Sequence, residues 1–420
     1  MPMMNVLILL AGLAVFAGYG IWGLVWLAAV TLASYGLGFL IHRYKWVLWP
    51  GVILQAAVLV LLKLQPVTGM SLLAPMGVSY FSLQIISYLA DIYKGKIQPE
   101  KNILRYGLYI TYLPHLFIGP IENYETMQRS LLQRKMSWTG FGAGLTRLMW
   151  GLFKKFVIAA RAGVIIAAVA GDPETMQGAY ALLAMILYSL QLYGDFSGGM
   201  DMVLGVSQML GLRLSENFDR PYFSQSVQEF WRRWHITLGA WLRDYVYIPL
   251  GGNRKGNFRK VINLIVTFLV SGLWHGVHYL LWGFFNGLFV VVGKRLQTRS
   301  KAVNRIGTFL VISFLWCFFV WPDTLTALKS AASVFTVFNY GQLVGNIAAL
   351  GLTAADWIVM LLGSAALWLY DWKRETVQMW LYKAAPAVKT AVIAALALIV
   401  LVLGMYGIGF QAEEFIYSRF

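Results

Sequence analysis

Residues 228–278 read QEFWRRWHITLGAWLRDYVYIPLGGNRKGNFRKVINLIVTFLVSGLWHGVH. The first half is aromatic and cationic together, in Trp231, Arg232, Arg233, Trp234, His235, Trp241, Arg243, Asp244 and Tyr245. A basic glycine turn follows, Gly251-Gly252-Asn253-Arg254-Lys255-Gly256, and then an uncharged apolar run over residues 261–274 that ends on His275. A run of that kind belongs in a membrane, and an ionisable group at its end is costly there. Such a group is by default a functional hypothesis.

The rest of the chain agrees with a membrane setting. Of its 420 residues 59% are hydrophobic and 12% charged, about half the charged fraction of an ordinary soluble domain. Mean hydropathy is +0.64. Several runs reach the ~20 apolar residues a spanning helix needs. Strand-like alternation with closely spaced turns is missing, which argues against a β-barrel. The fold class expected is an all-α polytopic membrane protein of about ten to twelve spans, in one domain over residues 1–420. The start, MPMMNVLILL, has no basic segment or small-residue cleavage site and reads as a retained span. The net charge of +16 sits in short loops between apolar runs, the signature of cytoplasmic loops rather than of nucleic-acid binding. That basic face would steer an anionic cytosolic ligand. The single cysteine, Cys317, excludes an internal disulfide and a cysteine zinc site; in VISFLWCFFV it reads as an inert buried thiol.

Along the chain, residues 5–41 are long enough for two short spans with a turn near Gly18-Tyr19-Gly20. Residues 46–64 are the next span, and 65–75 an outside loop. Residues 76–93 carry Ser79, Tyr80, Ser82, Gln84, Ser87 and Tyr88, which lipid cannot satisfy, so they should face protein or water. Pro114, His115 and the Gly119-Pro120 pair predict a broken or re-entrant segment at 103–120. Arg147, Lys154, Lys155 and Arg161 interrupt 141–170 at near-helical spacing, which predicts an interfacial helix whose cations reach the headgroups. Further spans are expected at 279–293, 306–321, 352–370 and 389–410; 325–351 is ambiguous.

His275, flanked by Gly272 and Gly276, suits general-base chemistry, since a neutral imidazole takes a proton from a hydroxyl. A histidine satisfied by a neighbouring helix would read the same way. His278 lies at i+3, but no third ligand of the His-Glu-x-x-His kind is near, so no metal is expected. In Trp231-Arg232-Arg233-Trp234-His235 the arginines suit phosphate and the tryptophans an adenine face; interfacial anchoring explains the pattern equally. The 251–256 turn lacks a Walker ending. It could hold phosphates through its amides or be a plain basic loop. Two carboxylates, Asp195 and Asp201, lie in the helix-length run 179–210, within Leu192-Tyr193-Gly194-Asp195-Phe196-Ser197-Gly198-Gly199-Met200-Asp201; a serine-protease reading of Gly194-Asp195-Phe196-Ser197-Gly198-Gly199 fails on the inserted phenylalanine. They could orient a catalytic group or hydrogen-bond within the bundle. The last residues, Phe415-Ile416-Tyr417-Ser418-Arg419-Phe420, could dock at the interface, or Tyr417 could carry an acyl group if a base takes its proton.

Residues 230–256 with 271–276 resemble the membrane-bound O-acyltransferases, in particular a bacterial cell-surface branch that acetylates polysaccharides or transfers D-alanine to teichoic acid. Met76-Gly77-Val78-Ser79-Tyr80-Phe81, Gly151-Leu152-Phe153-Lys154-Lys155-Phe156 and Asp195-Phe196-Ser197-Gly198 are also similar to it. Trp241-Leu242-Arg243-Asp244-Tyr245 and Gly272-Leu273-Trp274-His275-Gly276 look more like the acetyltransferases. The final hexapeptide resembles an acyl-carrying ending.

The resemblance implies a helical bundle around a central funnel, with His275 as the family histidine, His235 as its second motif histidine and Tyr417 as a first acyl acceptor in a tail over 411–420. It implies no tightly bound cofactor but a cytoplasmic thioester donor, acetyl-CoA or a phosphopantetheinyl carrier protein. Trp231, Arg232, Arg233, Trp234, Arg243, Asp244, Arg254, Asp195, Ser197 and Trp274 would bind substrate. An extracytoplasmic Ser-His-Asp transferase would pass the group to a cell-surface polymer at a bacterial cell membrane. D-alanyl transfer is the alternative. A transporter would also bury His275 and Asp195.

Overall fold

The computed structural model describes residues 3–18, 20–68 and 77–406. The outside loop from residue 69 onward, Met76 and the tail with Tyr417 therefore lie outside the described residues. The described chain is helical, and its one β feature is an isolated antiparallel bridge between Phe218 and Trp234.

The N-terminal run divides into α1 (Met3–Gly18) and α2 (Ile21–Arg43), with Gly20 at φ 127° ahead of α2. Next come α3 (Leu48–Thr68) and α4 (Val78–Tyr93). The broken segment is α5 (Ile103–Thr111) and α6 (Leu113–Phe117), split where Pro114 starts the second piece, and α7 is Tyr124–Leu132. Residues α8 (Trp138–Leu152), α9 (Ala160–Gly171), α10 (Ala179–Leu192) and α11 (Gly198–Met209) form the middle of the chain. Two short pieces lead onward, α12 (Val227–Arg233) and α13 (Ile236–Leu242), and then the long α14 (Gly256–His275). The remainder is α15 (Leu280–Val292), α16 (Lys301–Leu315), α17 (Cys317–Val320), α18 (Thr324–Ser333), α19 (Tyr340–Gly345), α20 (Ala354–Trp372), α21 (Arg374–Lys383) and α22 (Pro386–Leu403).

Five helical stretches among the described residues are long and apolar enough to cross a membrane: Ile21–Arg43, Lys45–Leu64, Lys301–Val320, Ala354–Trp372 and Pro386–Leu403. They carry the large exposed apolar side chains, among them Trp22, Trp49, Ile53, Leu362 and Leu401. Such a surface suits lipid and no other solvent. This is a multi-pass inner-membrane protein. The inner helices are shorter and interrupted. α4 is buried from Val78 to Ile92, polar residues included, as its serines, glutamine and tyrosines predict.

The middle of the chain departs from expectation. α8 and α11 run antiparallel in near backbone contact. A Cβ on Gly144 would lie 2.5 Å from the Gly205 carbonyl oxygen, and one on Gly151 2.4 Å from that of Gly198. Small residues permit that approach in a membrane bundle. Between α8 and α9 the helix widens into a π turn at Phe153–Ala159, and between α10 and α11 into another at Tyr193–Ser197. The expected interfacial helix is therefore absent. Its cations turn inward: Lys154 and Arg161 are buried, because carboxylates on facing helices offer them partners that headgroups do not. Lys154 Nζ lies 2.5 Å from Asp201 Oδ2 and donates to Ser197 Oγ at 2.8 Å. Lys155 pairs with Asp195 at 2.5 Å, and Arg147 with Asp201 at 2.9 Å and Glu216 at 2.6 Å. Arg161 donates to Asp356 at 3.1 Å and to the Leu403 carbonyl at 2.7 Å.

Candidate active site

α14 ends at His275 because Gly276 adopts φ +148°, a conformation closed to most side chains. The chain then folds back as a short turn onto its own helix: a Cβ on Gly272 would sit 2.5 Å from the Tyr279 carbonyl oxygen. That glycine therefore serves packing between α14 and the following turn. The imidazole is left buried within aromatic faces. Ring centroids lie 4.7 Å away at Trp274, 5.5 Å at Trp282, 5.7 Å at Phe319 and 6.2 Å at Tyr279.

His235 reaches the same place from the other side. Its backbone is left-handed, φ 45°, a conformation that costs about 1–3 kcal/mol for a non-glycine residue and that histidine tolerates better than most. Neighbouring hydrogen bonds impose it. The Asp219 amide donates to the Arg233 carbonyl at 2.9 Å and the Ile236 amide to the Asn217 carbonyl at 3.0 Å, so residues 217–219 clamp the chain on both sides of His235. Asn217 Oδ1 accepts from the Thr237 amide at 2.9 Å and from the Thr237 hydroxyl at 3.0 Å, and lies 3.4 Å from His235 Nδ1. An acceptor facing Nδ1 puts the proton there and leaves Nε2 with its lone pair. Thr237 Oγ1 in turn accepts from the Ile121 amide at 3.0 Å, which ties the broken α5–α6 segment to the His235 turn.

Trp274 joins the two histidines. Its ring is 6.2 Å from that of His235 as well as adjacent to His275, and its indole N–H donates to the Ser79 carbonyl at 3.4 Å. Trp231 lies one ring further out, 5.4 Å from Trp282, with its indole donating to Asn286 Oδ1 at 3.0 Å. Trp234 is buried among Phe218, Phe230 and Trp316.

The other expected site residues are dispersed. Arg232 and Arg254 are exposed. Arg243, also exposed, pairs with its own neighbour Asp244 at 2.7 Å, and that hydrogen bond pushes its pKa up. Asp195 and Ser197 belong to the ion-paired layer with Lys155 and Lys154. Arg233 donates to Glu229 at 2.7 Å and lines a cavity of about 180 Å³ together with Arg220, Arg305, Phe223 and Trp372. Two contributors were missed from the sequence. Asn217 has no local signature. Lys63 does: it is a lone cation inside the apolar run of α3, a helix that packs against α14. Such a lysine is itself a functional signal. Among the described residues no group of three histidine, cysteine or acidic side chains is arranged to hold a metal.

Two histidines from distant turns thus flank one tryptophan at the end of an apolar helix, inside the helical bundle. The sequence profile of the membrane-bound O-acyltransferase family matches residues 13–327, and the chain belongs to that family. It is 35% identical over 376 residues to a probable alginate O-acetylase AlgI of Pseudomonas fluorescens, covering 84% of this chain and 75% of that protein. It is 32% identical over 295 residues to the peptidoglycan O-acetyltransferase of Helicobacter pylori, covering 61% and 56%. It is 26% identical over 305 residues to the teichoic acid D-alanyltransferase of Streptococcus thermophilus, covering 68% and 72%. Family membership implies acyltransferase activity.

Proposed function

We propose that this chain takes an acetyl group from a cytoplasmic thioester and delivers it across the membrane for O-acetylation of a cell-surface polysaccharide. The observation that carries the reading is the His275 site: a buried imidazole at the end of α14, oriented by Trp274 and faced by the His235 turn. Identity of 35% to an alginate O-acetylase against 26% to a D-alanyltransferase favours acetyl over D-alanyl.

In this reading His275 takes the proton of an acceptor hydroxyl while its oxygen attacks the thioester carbonyl. The tetrahedral adduct expels the thiolate, which recovers the proton from the imidazolium. The products are an ester and a free thiol. Acetyl-CoA or a phosphopantetheinyl carrier protein would supply the thioester, and Arg220, Arg233 and Arg305 around their cavity suit its phosphates better than the dispersed Arg232 and Arg254. Tyr417 is the proposed first acceptor, and a Ser-His-Asp transferase outside the membrane would carry the group to the polymer.

Labelled acetyl-CoA, given to the purified full chain in lipid nanodiscs, tests both steps. Mass spectrometry of the C-terminal peptide should find the label on Tyr417, and His275→Ala should abolish it. Polymer acetylation that persists in cells carrying His275→Ala, at equal expression, would overturn the proposal.

A further inference from the structure

Buried polar groups in native proteins almost always have partners, so a cluster without them points to something that supplies the bonds. Among the described residues, three side-chain atoms of this kind belong to α4 and the broken segment packed against it. The Tyr80 hydroxyl, Gln84 Oε1 and His115 Nε2 have no hydrogen-bond partner, although Tyr80 is 4% exposed, Gln84 1% and His115 fully buried. Tyr80 and Gln84 stand one turn apart on the same face of α4. Gln84 Nε2 and His115 Nδ1 are 3.3 Å apart, which joins α4 to the broken segment. The Tyr80 ring lies 6.1 Å from that of Trp274, the ring that separates His275 from His235. On either side of Tyr80, α4 accepts indole N–H groups through its backbone: Trp274 at the Ser79 carbonyl and, at 2.9 Å, Trp241 at the Leu83 carbonyl. Both tryptophans thus hydrogen-bond to the α4 backbone at the residues that precede Tyr80 and Gln84.

The chemistry left open is specific. A phenol can donate or accept, an amide oxygen accepts, and the free nitrogen of an imidazole does either according to tautomer. Nothing in the set is charged, so a metal or an anion is not what it suits. Hydroxyl oxygens fit it: each both donates and accepts, and a chain of them can join groups too far apart to bond directly.

We propose that Tyr80, Gln84 and His115 form an internal hydroxyl-binding site, occupied by water and used to position the acceptor hydroxyl for His275. The positioning role rests on the acyl-transfer reading; the water does not. These are positioning residues, acting on the approach to the base.

Radiolytic hydroxyl-radical labelling of the full chain in nanodiscs separates the two parts, because side chains touching ordered internal water are oxidised however deeply they lie. Tyr80 and His115 should label well above Tyr106, which is as buried but donates its hydroxyl to Ser34 at 2.8 Å. Gln84→Leu should suppress labelling at His115, a change that a merely structural role would not produce. Labelling of Tyr80 and His115 no faster than Tyr106 overturns the site while leaving the His275 chemistry intact. In cells, Tyr80→Phe and Gln84→Leu should each lower polymer acetylation about tenfold at equal expression, the scale of one lost hydrogen bond. Wild-type acetylation in both variants overturns the positioning role even if the water is there. Strong labelling in a protein that transfers no acetyl group would instead remove the functional reading and keep the site.

Discussion

Two buried polar regions of this molecule obey opposite rules. Between α8–α9 and α10–α11, every cation meets a carboxylate: Arg147 and Lys154 share Asp201, and Lys155 holds Asp195. Around α4 and the end of α14, the polar groups are mostly neutral, and the Tyr80 hydroxyl, Gln84 Oε1 and His115 Nε2 have no hydrogen-bond partner among the described residues. Removing an ion from water costs several kcal/mol, so charges persist inside a bundle where geometry and hydrogen bonds compensate them. A satisfied network has no capacity left for a substrate. The paired layer therefore holds helices together, and the neutral region is the one to which the proposed chemistry is assigned.

The sharpest way to break this division is Asp201→Asn. It leaves the buried Lys154 without its ion-pair partner, a change of about 3–5 kcal/mol for a buried pair, while the half-buried Arg147 keeps Glu216. A large fall in the thermal unfolding midpoint in detergent is expected, with the surviving folded fraction still transferring acyl groups. A protein of unchanged stability and no activity would place Asp201 in the reaction instead. Gly151→Ala comes next. Its Cβ would stand 2.4 Å from the Gly198 carbonyl oxygen, so α8 and α11 must separate, at about 1–3 kcal/mol for overpacking of this kind. Again stability should move and catalysis per folded molecule should not.

Trp274→Phe tests the other region. It keeps an aromatic ring between the histidines but removes the indole N–H that donates to the Ser79 carbonyl, together with part of the ring's packing surface. Transfer should fall by at least about three- to tenfold, the worth of one hydrogen bond, with a smaller fall in the midpoint than Asp201→Asn gives. A loss of stability without loss of rate would mean that the ring only packs.

How much of this could be read in advance follows the same division. The end of the apolar run at His275, the break at Pro114 and the inward polar face of α4 are local, and residue type and periodicity reveal them. The paired layer is not local. Lys155 and Asp195 are 40 residues apart in sequence, so Arg147, Lys154, Lys155 and Arg161 looked like headgroup anchors when their partners were invisible. The π turns compound this, since they place Lys154 and Lys155 in succession against the same facing helix, which ordinary helical spacing does not predict. Asn217 escaped for the same reason: it touches His235 across a sequence separation of 18 residues, beside a bridge that no strand pattern announces.

The smallest effect expected lies at the edge of the paired rule, in the loop between α4 and α5. Glu100 accepts from the Tyr124 hydroxyl, from the Asn102 amide at 2.7 Å and from Arg105 at 3.2 Å. Burial pushes its pKa up, but those hydrogen bonds and the Arg105 charge outweigh it and hold the carboxyl below the usual glutamate value. A carboxylate whose folded pKa lies below its unfolded one binds fewer protons when folded, so it stabilises the fold above the ordinary glutamate range. That contribution declines as the pH falls below that range and is gone once the pH has passed the lowered folded value. Glu100→Gln should therefore unfold at a lower temperature than wild type at neutral pH, and the two midpoints should converge in acid. A gap that stays constant with pH would mean that the carboxylate acts there through shape and hydrogen bonding and not through its charge.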